Sequence, residues 1–356
     1  MKVIFRVDSS LEIGSGHVMR CLCLAELLRE LGNDVEFICR QHYGNIVKRI
    51  RSKGFNVYEL ELQAGRKVDN KLFYSSWLGV TQIKDSFDCI DILKTLETDW
   101  LIVDHYSLDE DWHRILKPYC KKIMVIDDMG DRALDCNLLL DQNLGSSQAK
   151  YHGLIKKYCK TLLGPKYALL RAEFTQWRDY SLKRRANKLH INTILISMGG
   201  MDPDNYSGRV LHQLARCKLA MNTKIYIVLG DNAPHFKEVQ RLATKIPLIT
   251  EVQIGINNMA ELMANADLAI GAAGSSSWER CSLGLPTIQI IISENQRQIA
   301  EALDKINAIK ILKNLDDIVI LMETIDLWFF QIKKNCNINI DGYGSSLVID
   351  QLNLNK

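Results

Sequence analysis

The 356-residue chain is 47% apolar and 24% charged, with a formal net charge of +3, the balance of a globular protein long enough for two cores. So small a charge excludes a nucleic-acid or membrane surface as the organising partner, and no apolar run reaches a membrane span. Ten cysteines and eight histidines supply neither a C-x-x-C pair nor metal-ligand spacing, so the reading expects reduced core thiols, a cytoplasmic location, no metal and no cofactor.

The first strand, Val3-Ile-Phe-Arg-Val7, reads as buried. The polar turn Ser9-Ser-Leu-Glu-Ile-Gly-Ser-Gly16 follows it. Leu22, Leu24, Ala25, Leu27, Leu28 and Leu31 then recur at helical spacing until Gly32 stops them. This order puts Gly14, Ser15 and Gly16 at a helix start and His17 in the first turn of that helix. The carboxyl edge of such a strand is where open α/β sheets bind ligands. The glycines are not a dinucleotide fingerprint. Met19 stands where a third glycine belongs, the second strand ends Phe37-Ile-Cys-Arg40 without an acidic residue, and no Walker lysine follows. A backbone-lined turn at a helix start suits an anion such as a diphosphate. The positive end of the helix dipole favours a neutral His17, able to accept a proton. Arg20, one turn on, either steers a phosphate or stands solvated.

Strands over 35–39, 56–60, 100–104, 122–127 and 138–141 alternate with helices over 45–53, 86–98 and 109–116, which means right-handed crossovers and a parallel sheet. Residues 62–76 lack a period and read as a loop. Two strand ends carry polar clusters, Asp104-His105-Tyr106 and Asp127-Asp128, on the same edge as His17. His105 and Tyr106 either touch a sugar or serve as turn chemistry, while Asp128 and Asp131 read as turn residues.

The pattern breaks at Leu162-Leu-Gly-Pro165. Arg171, in the crossing that follows, reads equally as a cleft residue and as a salt-bridge partner. The second half repeats the alternation, with strands over 193–198, 224–229, 268–271 and 286–291, another near Val252, and helices between them. Asp202-Pro-Asp204 copies a metal-binding D-x-D, yet Pro203 at the first helical position reads as a helix start with Asp202 as its cap. In the run Gly271 to Gly284, GAAGSSSWERCSLG, Gly274, Ser275, Ser276 and Ser277 form a second anion cradle at a helix start. Glu279, one turn on, either accepts the two hydroxyls of a ribose or stands solvated. The tail predicts a helix over 316–331 that packs back on the first domain. The expected domains are 1–165, a linker over 166–190, 191–310, and a helical tail over 311–356.

Arg6-Val-Asp8-Ser-Ser, Ile13-Gly-Ser-Gly-His17-Val-Met-Arg20, Asp104-His-Tyr106, Ser197-Met-Gly-Gly200, GAAGSSSWERCSLGLP and Glu294-Asn-Gln296 together resemble one family. It is the UDP-2,4-diacetamido-2,4,6-trideoxy-beta-L-altropyranose hydrolases of pseudaminic acid biosynthesis, and the resemblance runs from Met1 to near Leu303. It implies a GT-B-like α/β fold, two Rossmann-like parallel-sheet domains facing a central cleft. It also implies release of UDP by inverting, metal-independent attack of water at the anomeric carbon. Carried over residue by residue, His17 becomes the general base, and Tyr106 and Asn295 meet the sugar or the water. The Gly274–Ser277 turn takes the diphosphate and Glu279 the ribose. Asp8 orients the glycine turn or His17, and Gly200 and Gln296 join the binding residues through their motifs. The expected partner is a UDP-sugar substrate, with no nucleic acid or membrane, for a monomer or weak oligomer. A GT-B glycosyltransferase would share the donor site, as the peptidoglycan N-acetylglucosaminyltransferase shares the fold and a similar glycine-histidine loop. A hydrolysing epimerase needs carboxylates for chemistry at C2, and a non-catalytic nucleotide-sugar sensor would bind without turnover.

Overall fold

The computed structural model describes residues 1–62, 71–186, 190–338 and 340–353. The chain divides into two compact units, Met1–Leu169 with Tyr343–Lys356, and Leu170–Gly342.

The first unit runs β1 (Lys2–Val7), α1 (Gly16–Glu30), β2 (Asp34–Arg40), α2 (Val47–Ser52), β3 (Asn56–Leu60), α3 (Gln82–Leu93), β4 (Trp100–Asp104), α4 (Glu110–Leu116), β5 (Lys122–Ile126), β6 (Leu138–Asp141) and β7 (Lys160–Leu163). Its seven strands are all parallel, in the order β3-β2-β1-β4-β5-β6-β7. Strand order reverses between β1 and β4, where Val7 lies opposite Asp104. Alternation along each strand sorts the side chains. Val3, Phe5, Val7, Trp100, Ile102, Met124 and Ile126 pack with α1, while Ile4, Leu101, Val103 and Val125 pack with α3 and α4.

The second unit runs α5 (Ala172–Ala186), β8 (Thr193–Ser197), α6 (Tyr206–Leu214), β9 (Lys224–Leu229), α7 (Phe236–Ala243), β10 (Ile249–Ile254), α8 (Met259–Asn265), β11 (Leu268–Ala272), α9 (Ser276–Ser282), β12 (Thr287–Ile290), α10 (Arg297–Lys305), β13 (Lys310–Leu312), α11 (Asp317–Glu323) and α12 (Ile325–Asn335). Its six parallel strands follow the order β10-β9-β8-β11-β12-β13 and reverse between β8 and β11. The last helix, α13 (Gly344–Asn353), belongs to the first unit and packs on α1.

Several expected boundaries move. The helix expected over 86–98 starts at Gln82, because the Thr81 hydroxyl accepts from the Lys84 N–H at 3.2 Å and caps it. Edge strands β7 and β13 are four and three residues long, too short to show a period. Part of the loop expected over 62–76 falls on residues 63–70, outside the described residues. Its end is a 3-10 turn at Ser75–Leu78, closed by Gly79 at φ +72°. The stretch 172–186, expected within a linker, is α5, whose Phe174 and Ser181 are buried inside the second unit. The helix expected over 316–331 is broken into α11 and α12. Their Ile318, Met322, Trp328, Phe329 and Ile332 complete the core of the second unit instead of returning to the first.

Candidate active site

The glycine turn closes through Gly14, whose N–H donates to the Ser10 carbonyl at 2.9 Å and whose φ of +76° suits glycine. The Ser10 hydroxyl accepts from the N–H groups of Glu12 and Ile13. Helix α1 then starts behind Ser15 with Gly16, and its second residue, His17, lies at the switch point of the first sheet.

The partner of His17 is Asp104, the last residue of β4. The two meet at 2.6 Å between Nδ1 and Oδ1. A carboxylate can only accept, so Nδ1 donates to it, and in the neutral imidazole it is Nε2 that keeps the lone pair. Nε2 has no hydrogen-bond partner among the described residues and is not sealed from solvent. Arg20 donates to both Asp104 oxygens, at 2.6 Å each, and to Asp128 at 3.1 Å. Burial opposes the Asp104 charge, but Arg20 and His17 outweigh it and hold its pKa well below the usual carboxylate range. The Tyr106 hydroxyl donates to Asp128, and its ring stands 4.7 Å from the His17 imidazole at 79°. Burial, followed by Asp128, pushes the Tyr106 pKa well up, so the phenol stays protonated.

This arrangement corrects several expectations. Arg20 is buried and spent on two carboxylates, so it does not steer a phosphate. Asp128 belongs to the His17 cluster, whereas Asp131 pairs with the adjacent Arg132. Asp8 reaches neither His17 nor the glycine turn. It takes Arg6 at 2.6 and 2.8 Å and the Arg40 N–H at 2.6 Å, with His42 and His105 nearby. His105 is buried on that side, 3.2 Å from Asp8, and burial lowers its pKa while Asp8 works the other way. Alternation explains the split. Positions 104, 106 and 128 continue the α1-facing rows of β4 and β5, whereas Arg6, Asp8 and His105 continue the opposite rows. Asp104 is the candidate residue to which the sequence reading, though it placed the Asp104-His105-Tyr106 cluster on this edge, gave no role, and that row assignment is the signal that finds it.

In the second unit the candidate residues gather at its own switch point. Gly271 of β11 lies opposite Ser197 of β8, and a Cβ there would meet the Ser197 carbonyl at 2.7 Å and Arg280 at 2.9 Å. The turn of Gly274 and Ser275 leads into Ser276 and Ser277 at the start of α9. Gly200 follows β8, and its carbonyl accepts from the Gly230 N–H at 3.1 Å. Gln296 Nε2 lies beside Gly274. Asn295 sits in the same 3-10 turn, bonded to the Ser293 hydroxyl. Beneath the turn is a residue the sequence reading passed over. Arg280 is 1% exposed and donates to the Ala272 carbonyl and to the hydroxyls of Ser276 and Ser277 at 2.7, 3.1 and 3.2 Å. It makes no salt bridge to a carboxylate among the described residues, and burial lowers its pKa to about 10. Glu279 is already engaged, at 3.0 Å from Arg171, which also holds Glu173 at 2.6 Å. Arg171 is therefore a salt-bridge residue. Asp202 accepts from the N–H groups of Tyr206 and Ser207, at 2.8 Å each, but α6 starts three residues later than Pro203 suggests, and its N-cap is Asn205, which accepts from the Gly208 N–H at 3.0 Å.

Among the described residues no group of three or more His, Cys, Asp or Glu is placed to hold a metal ion, and no helix is long and apolar enough to cross a membrane. All ten cysteines are free thiols.

Residues 193–334 match the glycosyltransferase family 28 C-terminal domain. Over 306 residues the chain is 29% identical to the UDP-2,4-diacetamido-2,4,6-trideoxy-beta-L-altropyranose hydrolase of Campylobacter jejuni, covering 86% of this chain and 97% of that protein. The family resemblance is borne out. The chain is also 29% identical over 303 residues to an uncharacterized protein of Methanocaldococcus jannaschii, covering 84% of this chain and 57% of that longer relative. Acinetobacter baumannii MurG superposes with a TM-score of 0.65 at 16% identity, over 99% of this chain and all of that one. Its likeness bears on fold alone, and the two parallel-sheet, Rossmann-like units are those of the GT-B class. Together these findings support a GT-B enzyme related to nucleotide-sugar chemistry.

Proposed function

We propose that the chain hydrolyses UDP-2,4-diacetamido-2,4,6-trideoxy-beta-L-altropyranose, releasing UDP. The observation that carries this reading is the Asp104–His17 pair, which leaves Nε2 of His17 as an open proton acceptor at a sheet switch point. Water is the nucleophile. As its oxygen bonds to the anomeric carbon, its proton passes to His17 Nε2, and the bond from that carbon to the β-phosphate oxygen breaks with its electrons going to UDP. Attack opposite the leaving group inverts the anomeric centre. Asp104 holds the imidazole in the accepting tautomer and stabilises the imidazolium that forms, a role long recognised in hydrolytic triads.

Diphosphate is a good leaving group, so it requires stabilisation more than protonation. In the second unit the Gly274–Ser277 turn would take it, with Arg280 as the buried positive charge beneath. Ser276 and Ser277 accept from Arg280, so their own protons remain to be donated. Glu279 would meet the ribose, and Tyr106 and Asn295 the sugar or the water. The location is proposed as cytoplasmic, and the reaction as independent of metal.

The test is steady UDP release by the purified protein in chelator with no acceptor present. Turnover that falls by about a hundredfold or more in His17→Ala supports the reading. Binding without release contradicts it. The family 28 domain match favours one second reading, transfer of the sugar to an acceptor, and it predicts that release begins only when an acceptor is added.

A further inference from the structure

Beside His17 lies an apolar body that the sheet does not require. Ile13, Tyr74, Trp77 and Tyr106 form a buried cluster, with Met129 against it, separate from the cores on the two sheet faces. Every member comes from a loop or turn: Ile13 from the glycine turn, Tyr74 and Trp77 from the 3-10 turn before α3, Tyr106 after β4, Met129 after β5. The Trp77 ring lies 6.2 Å from the His17 imidazole at 81° and stacks on Tyr106 at 5.8 Å and 29°. Tyr74 adjoins Trp77 at 4.4 Å. Two polar tips are tied down, since Trp77 Nε1 donates to Glu12 at 3.1 Å and the Tyr106 hydroxyl donates to Asp128. Ring carbon is what these side chains have left to offer. The aromatic surface continues to Phe73, 4.8 Å from Tyr74 and 79% exposed. An exposed phenylalanine continuous with a buried aromatic cluster, beside a histidine with an open nitrogen, has the composition of a ligand wall.

We propose that Phe73, Tyr74 and Trp77 form a sugar-recognising wall that receives apolar substituents, the acetamido methyl groups and the 6-deoxy methyl carbon. The identity of that sugar rests on the hydrolase reading above. Methyl groups laid on ring faces leave water without loss, whereas a hydroxyl in the same place would give up its hydration and find Trp77 Nε1 and the Tyr106 hydroxyl already committed. The wall is thus the specificity element of the site, and it acts on the sugar and not on the nucleotide.

The experiment is calorimetric titration of UDP-2,4-diacetamido-2,4,6-trideoxy-L-altrose, and separately of UDP, in a His17→Ala background so that the ligand survives. Turnover by the unmodified protein is measured beside it. Phe73→Ser changes an exposed residue and leaves the fold alone. It should weaken UDP-sugar binding about threefold and Trp77→Leu about tenfold, with Trp77→Phe recovering most of the loss and UDP affinity staying within about twofold throughout. Unchanged UDP-sugar affinity overturns the wall, and so does a parallel loss for UDP-sugar and UDP, which marks a structural role. Binding that obeys the pattern without turnover contradicts the hydrolase reading alone. No binding of the UDP-sugar overturns both.

Discussion

Asp104 receives His17 and Arg20 on the same two oxygens, so its replacement separates charge from shape. Asp104→Asn keeps the volume but offers Nδ1 an amide, which can donate and so favour the wrong tautomer. We expect kcat to fall by about a hundredfold or more, and the ¹⁵N spectrum of His17 to shift its proton from Nδ1 toward Nε2. Unchanged kcat with an altered tautomer would remove Asp104 from the mechanism. Arg280 poses the opposite case, a buried charge without a carboxylate partner among the described residues. Replacing it by Met removes an uncompensated buried charge but also takes a donor from the Ala272 carbonyl, so the two effects largely offset. Arg280→Met should therefore leave the melting temperature within a few degrees while weakening UDP binding about tenfold, the loss of the buried positive charge beneath the turn and of its hold on Ser276 and Ser277. Equal UDP affinity would place Arg280 in the scaffold alone. His17 was legible in the sequence because a strand, a glycine turn and a helix fix its place. Arg20, expected either to steer a phosphate or to stand solvated, does neither, because its fate depends on the carboxylates opposite it at the ends of β4 and β5, which one segment does not reveal.

At the scale of elements, the face of the first sheet under α3 and α4 holds a network of buried charges. Asp85 takes Arg6, Arg40 and the Trp112 indole, and His113 of α4 accepts from the Asp135 N–H at 3.3 Å. Burial, followed by Arg132, pushes the His113 pKa down to about 3. Its folded pKa thus lies below the unfolded value of about 6.5, so the unfolded chain takes up the proton first. Stability is full above about pH 6.5 and declines as pH falls toward 3. Asp85 and Asp104 are held low, so their contributions persist down to about pH 4 and disappear only below it. The urea midpoint should therefore drop between pH 7 and 5, and drop less in His113→Gln. His105, also lowered, accounts for a slope that survives. An identical slope in both proteins would contradict the assignment. Long central strands and capped helices were legible because they repeat a period, while β7 and β13 were not. Tyr74 fell in the stretch over 62–76 that shows no period, and Trp77 just beyond it, so their place beside His17 is set by tertiary packing alone.

For the whole molecule, the two sheets each reverse strand order once, and each brings its candidate residues to that reversal. The alternating halves made this architecture readable. The route of the tail was not, because α11, α12 and α13 are similarly apolar and only packing decides that the first two stay in the second unit while α13 joins α1. Val348, Ile349 and Leu352 of α13 are buried in the core of the first unit. Ending the chain at Gly342 should therefore destabilise that unit by roughly 5 kcal/mol, three apolar side chains' worth, and lower its thermal transition while that of the second unit stays in place. A transition unmoved by the truncation would contradict the packing. The central claim, water activated by His17 at the anomeric carbon, is tested most directly by running the reaction in ¹⁸O-water and weighing both products. The account predicts one heavy oxygen in the released sugar, none in UDP, and no labelled sugar from His17→Ala. Label in the UDP phosphate, or labelled sugar formed as fast without His17, would contradict it.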